Sequence, residues 1–243
     1  MLAPLGQPPV PATVDLRAVT DCVCLVLTKA DLELALQVAA AGKPCLVEKP
    51  MARNLPDSQR MAAAFEAAGV PPFVAYYRRH HPRVLRMREL LGRLGDITLV
   101  SYRFSRPPRA DGSGGWREVA SVSGGGVFVD IGSHVLDILD FLLGPLQEVH
   151  GCARGEAGAV EQRVAASFGW AGGAVGTASW DFCAPLSEDV LEVRGTRGVL
   201  TAPGLMNGDA IELSAMADGG DCREAPPPPP TGGRQGGGEG KSG

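Results

Sequence analysis

Two short stretches of this chain bring together residue types that do chemistry. Residues 124–137 read Gly-Gly-Gly-Val-Phe-Val-Asp-Ile-Gly-Ser-His-Val-Leu-Asp. Asp130 and His134 are four apart, so a helix places them on one face, with Asp137 close behind. A carboxylate beside an imidazole fixes its tautomer and raises its basicity, which suits a general base near neutral pH. The competing reading is a solvated pair worth about 0.2–0.5 kcal/mol to the helix. The three glycines permit close backbone approach or a positive φ. The second stretch is Glu48-Lys49-Pro50, directly after a short apolar run. A lysine there offers three donors to a substrate oxygen or a phosphate. In isolation the tripeptide is better read as a solvated loop lysine. A third feature is the set of nine arginines from Arg78 to Arg109, with Tyr76, Tyr77 and Tyr102 nearby. Such a stretch suits single-stranded nucleic acid, but the formal net charge of −4 argues against it. A solvated basic helix and loop is the simpler account.

The elements that must position these residues follow from the hydropathy pattern. Cys22 to Leu27 is a continuous apolar run, too short for an ordinary helix, and predicts a strand buried on both faces. Helices are predicted from Asp31 to Gly42 and over Pro56–Ala68, stopped by Gly69, with strands at Pro44–Val47 and Phe73–Tyr76. Strand and helix in alternation imply crossover connections and a parallel sheet, whose strand ends collect ligands. After a basic helix at Pro82–Leu91 the grammar changes. Strands are predicted from Ile97, over Val160–Trp170, Ala174–Phe182 and Val190–Val193, with a hairpin turn at Gly195–Gly198. One long helix, Val127–Leu143, packs on this antiparallel sheet. The fold class expected is α/β: the later half of a parallel sheet followed by an α+β domain with a mostly antiparallel open sheet. No internal repeat is evident.

Composition narrows the classes further. The chain has 33 glycines and 20 prolines in 243 residues, an excess concentrated at the ends. Residues 1–13 and 217–243 are expected to be disordered, since they have too little apolar surface to offset the entropy of ordering. No apolar run approaches the ~18 residues of a membrane span, and no secretory signal is visible. The six cysteines have no CxxC or finger spacing, so no metal site is expected and a reduced, cytoplasmic compartment is the default.

In combination these pieces resemble a known family. Residues 42–50, Gly-Lys-Pro-Cys-Leu-Val-Glu-Lys-Pro, then Trp116-Arg117, then residues 124–144 are similar to motifs of the Gfo/Idh/MocA oxidoreductases. The resemblance covers about residues 14 to 203. It implies a partial Rossmann domain over 14–81 and a substrate and oligomerisation domain over 82–216. It further implies NAD or NADP as cofactor and a sugar-like or cyclic polyol as substrate. A homo-oligomer through the open sheet is implied too, with no nucleic acid or membrane partner. By this resemblance Lys49, Asp130 and His134 are catalytic, and Trp116 joins them in holding substrate. Thr28, Glu48, Lys49 and Pro50 lie along the cofactor, and the Lys49–Pro50 bond is cis.

Departures from the family pattern temper these expectations. Residues 1–21 contain no GxGxxG fingerprint, and Gly112, Gly114 and Gly115 do not follow a buried strand. Lys29 stands where a proline is usual after Thr28, and the expected histidine is absent. The chain is therefore expected to be truncated in its cofactor half and to bind NAD(P)H weakly, with Cys22–Leu27 left as an edge that invites association. The alternative is a non-catalytic isoform or fragment that serves as an interaction domain.

Overall fold

In the computed structural model, residues 32–108, 124–156, 160–208, 210–217 and 220–224 are described. The Cys22–Leu27 run, Thr28, Trp116, residues 1–13 and residues 225–243 lie outside these. Leu32, Ala35 and Ala39 form one buried stripe on α1 (Leu32–Ala40), and Gly42, at φ 65°, turns the chain out of it. β1 (Cys45–Val47) follows. The Asn54 side chain accepts from the Asp57 N–H at 2.9 Å and starts α2 (Leu55–Ala67), with Pro56 in the first turn. Gly69, at φ 66°, ends it, and β2 (Pro72–Val74) pairs parallel with β1, Cys45 opposite Pro72. Met61 and Phe65 of α2 close a first core over α1, Cys45 and Val47. On the other side of this two-stranded sheet Leu46 and Phe73 stand about half exposed.

A 3₁₀ turn (Tyr77–His80) leads into α3 (Pro82–Leu91), and then to β3 (Ile97–Ser105) and α4 (Val127–Leu143). Seven further strands follow: β4 (Leu146–Arg154), β5 (Arg163–Trp170), β6 (Val175–Asp181), β7 (Glu188–Gly195), β8 (Gly198–Pro203), β9 (Glu212–Ala217) and β10 (Gly220–Glu224). With β3 they form one sheet in the order β10-β9-β8-β7-β3-β6-β5-β4. β3 runs parallel to β6, and every other pair is antiparallel. The β7–β8 hairpin turns through Thr196 and Arg197, with Gly195 opposite Gly198. Met87 of α3, Ile138 and Leu139 of α4, and Tyr102, Trp180 and Leu191 of the sheet meet in a second core. Both helices thus pack on one face. On the other face Leu99 and Val175 stand opposite one another and exposed, beside rows of Ser, Thr and charged residues.

The helices over 55–67, 82–91 and 127–143 and the parallel β1–β2 pair agree with expectation. Two segments differ. β4 has no usable hydropathy alternation because eight of its nine residues are exposed at the sheet edge. Residues 217 and 220–224, assigned from composition to the tail, end β9 and form β10. Backbone pairing to the edge of β9 orders them, a gain that side-chain hydrophobicity does not report.

Candidate active site

Lys49 leaves β1 at its carboxyl end, and the Lys49–Pro50 peptide bond is cis. Its Nζ donates to the Asp130 carboxylate at 2.5 Å and to the Asp130 carbonyl at 3.0 Å. The pair joins the two cores, 81 residues apart in sequence, with both side chains largely buried. Asp130 lies in the first turn of α4, where the positive end of the helix favours a carboxylate. Ser133 Oγ donates to the same Asp130 carbonyl at 3.1 Å. The Glu161 carboxylate accepts from the Gly126 N–H at 2.7 and 2.8 Å and satisfies an otherwise open donor at the helix entry.

The glycine run explains how α4 reaches the lysine loop. Gly124 has φ 77°, and a Cβ there would stand 2.7 Å from the Arg53 carbonyl oxygen. The backbone entering α4 therefore runs against the backbone leaving Lys49-Pro50, an approach open to glycine. At Gly126 a Cβ would instead meet side chains, 2.9 Å from Val160 Cβ and 3.0 Å from the Glu161 carboxylate.

His134 sits one turn beyond Asp130 and is only 4% exposed. Tyr76 and Tyr77 meet its ring edge-on, with centroids 5.9 and 5.4 Å away. Its Nδ1 is buried without a hydrogen-bond partner. Burial, and after it the positive charges of Lys49 and Arg78, push the imidazole pKa down to about 3, while Asp130 pulls the other way. The Asp130 charge thus acts in the direction the spacing suggested but is outweighed, so the imidazole is neutral rather than more basic. Asp137, one turn further on, is committed elsewhere. Its carboxylate takes a two-pronged bond from Arg79, Nε to Oδ2 at 3.0 Å and Nη2 to Oδ1, and ties the 3₁₀ turn to α4.

The structure therefore brings Lys49, Asp130 and His134 together, with Glu48 and Pro50 beside the lysine. Thr28 and Trp116 fall outside the described residues. Tyr76, Tyr77, Arg78 and Ser133 were not read as site residues from the sequence, and their place there comes from the packing of the 3₁₀ turn on α4. The basic stretch is largely engaged within the fold. Arg79 holds Asp137, Arg88 stacks over Phe141 at 4.6 Å, and Arg86 pairs with Glu89. A cleft of about 690 Å³ opens beside the site, lined by Tyr76, Tyr77, Arg79, Asp137 and the exposed Leu46 and Phe73. Among the described residues no His, Cys, Asp and Glu cluster suits a metal ion, and no helix is long and apolar enough to cross a membrane.

Comparison with known proteins finds relatives in both sequence and fold. Residues 84–201 match the family profile of the GFO/IDH/MocA C-terminal domain. The chain is 32% identical over 183 residues to a 1,5-anhydro-D-fructose reductase of Ensifer adhaerens, covering 72% of this chain and 54% of that protein. It is 27% identical over 176 residues to an oxidoreductase of Formosa agariphila, covering 70% of this chain and 55% of that one. The chain spans about half the length of the curated relatives it matches. A levoglucosan dehydrogenase in complex with NADH and levoglucosan superposes with a TM-score of 0.70 at 25% identity, over 79% of this chain and 57% of that one. The WlbA dehydrogenase of Bordetella pertussis, in complex with NADH and UDP-GlcNAcA, superposes with a TM-score of 0.66 at 27% identity, over 77% of this chain and 57% of that one. A helix that carries Asp and His one turn apart, held against a cis Lys-Pro loop, sits here in the matching region, and residues 84–201 form a C-terminal domain of the Gfo/Idh/MocA type.

Proposed function

We propose that Lys49, Asp130 and His134 serve an NAD(P)-dependent oxidoreductase reaction at a hydroxyl-bearing carbon of a sugar-like or cyclic polyol. The observation that carries this reading is the pair of hydrogen bonds from Lys49 Nζ to Asp130, set beside a buried, neutral His134. An alcohol oxidised to a carbonyl releases a proton from oxygen and a hydride from carbon. His134 is unprotonated at neutral pH and so can accept the hydroxyl proton, its low basicity being offset by the cation that stabilises the developing alkoxide. Lys49, positioned by Asp130, donates to the same oxygen and favours the negative charge that develops on it. Ser133 holds the Asp130 carbonyl in place. A bound nicotinamide would supply the hydride acceptor.

The described residues suit the nicotinamide end of such a cofactor. The Lys49–Pro50 loop leaves the carboxyl end of a strand in a parallel pair, where nucleotide ligands gather, and the buried His134 Nδ1, without a hydrogen-bond partner, supports a ligand at this place. No glycine-rich phosphate loop follows a strand among these residues. Uncovered by any helix among the described residues, the far face of the eight-stranded sheet is the surface through which we place a homo-oligomer. We place the protein in the cytoplasm.

The test is dinucleotide reduction by the chain, at saturating NAD+ or NADP+, across a panel of sugars and cyclic polyols. Polyol-dependent turnover that collapses in His134→Ala supports the reading. Its absence in a folded wild-type chain would favour the interaction-domain alternative.

A further inference from the structure

A second cavity, of about 250 Å³, lies between the entry to α3 and the loop after β8. Arg78, His81, Arg83, Val84 and Ile138 form one wall, and residues 205–208 form the other. Arg83 is 5% exposed and fixes that loop. Its Nη1 donates to the Gly204 and Gly208 carbonyls and its Nη2 to those of Pro203 and Ala210, each at 2.6 Å. Arg78 donates from Nη1 to the Met206 carbonyl, while its Nε is buried without a partner. His81 is the N-cap of α3 and makes no side-chain cap bond, so the positive end of a ten-residue helix adds to the same wall. Asn207 contributes an amide.

None of the described lining residues is acidic. Asp189, a described carboxylate by this loop, is taken up by other donors: it accepts from the Met206 N–H at 2.7 Å and the Tyr102 hydroxyl at 3.0 Å. The Arg78 guanidinium, in a partly enclosed space with a backbone carbonyl as its described partner, favours an incoming anion far more than it would in open water. The cavity also adjoins the reaction site. Ile138 is one helical turn from His134, and the Arg78 charge is among those acting on that imidazole.

We propose that this cavity is an oxyanion subsite that seats a carboxylate or phosphate on Arg78, His81 and Asn207. Its role as the acidic end of a substrate rests on the proposed function; its capacity to bind an anion does not. The test is calorimetric titration of the whole chain with inorganic phosphate, glucuronate and glucose. Phosphate and glucuronate should bind, compete with one another, and weaken at least about tenfold in Arg78→Gln. Arg78→Lys, which keeps the charge, should lose less, and Arg60→Gln on α2 should match wild type. Thermal melts confirm that each variant is folded. Competition by glucuronate but not glucose assigns the anion to a sugar acid, whereas binding of phosphate alone assigns it to a phosphoryl group. Asp209→Asn controls for the neighbouring carboxylate, which lies outside the described residues. Anion binding that appears only in Asp209→Asn, no binding in either protein, or binding indifferent to Arg78 would each overturn the subsite. The measurement needs no turnover, so an inactive chain that binds phosphate through Arg78 would sink the proposed function and leave the subsite standing.

Discussion

His134 is a histidine kept neutral by its surroundings, and that has two measurable consequences. With a complete cofactor site supplied, turnover should fall roughly 10²–10⁴-fold in His134→Ala or Lys49→Ala, the usual loss when a positioned proton acceptor or donor is removed. Asp130→Asn should keep the fold and the lysine contact through its carbonyl, yet raise KM or lower kcat, because the carboxylate no longer fixes the ammonium. The second consequence is in stability. The folded-state pKa of His134 lies near 3 against an ordinary 6.5, so the unfolded chain binds the extra proton between those values. Its contribution is complete above about pH 6.5 and is lost as the pH falls from there toward 3. Denaturant melts across that window should show a steeper decline for wild type than for His134→Gln. Equal slopes would mean that the imidazole is not buried in its neutral form. Lys49, Asp130 and His134 were legible as types and spacings, but their conjunction came from the family resemblance. Tyr76, Tyr77 and Ser133 were not legible, because no local pattern says that a 3₁₀ turn will fold onto the face of a helix some fifty residues away.

At the scale of elements, the Gly124–Gly126 entry to α4 is the joint that sets the lysine against the helix. Gly124→Ala adds a methyl against the Arg53 carbonyl at a positive φ, a strain of about 1–3 kcal/mol. It should lower the melting temperature and, by moving α4 from the lysine loop, reduce kcat more than a remote substitution of equal destabilisation. Comparison with a variant of matched stability separates the two effects. Arg83→Met should cost about 3 kcal/mol or more, because it leaves four loop carbonyls without their shared donor. Limited proteolysis within 203–210 would register the released loop. The helices were legible because their caps and stops are local: Asn54 and Pro56 start α2, Gly69 ends it, and α4 runs without interruption to Gly144. β4 and β10 were not, since edge strands are held by backbone bonds on one side and their side chains meet water.

The molecule as a whole combines a small parallel unit, which presents the lysine, with an eight-stranded sheet whose helices present the aspartate and histidine. The sheet face opposite the helices carries Leu99 and Val175 among Ser and Thr side chains. If it joins two copies, Val175→Lys, placed across from Leu99, should halve the mass observed by analytical ultracentrifugation without disturbing the fold. An unchanged mass would remove this face as the interface. The most direct test of the account is a single comparison: polyol-dependent reduction of NAD+ or NADP+ by wild type and His134→Ala at saturating dinucleotide. The account predicts turnover in the wild-type chain and its loss by roughly 10²–10⁴-fold in the variant, with the fold retained. Wild-type turnover in His134→Ala would contradict it.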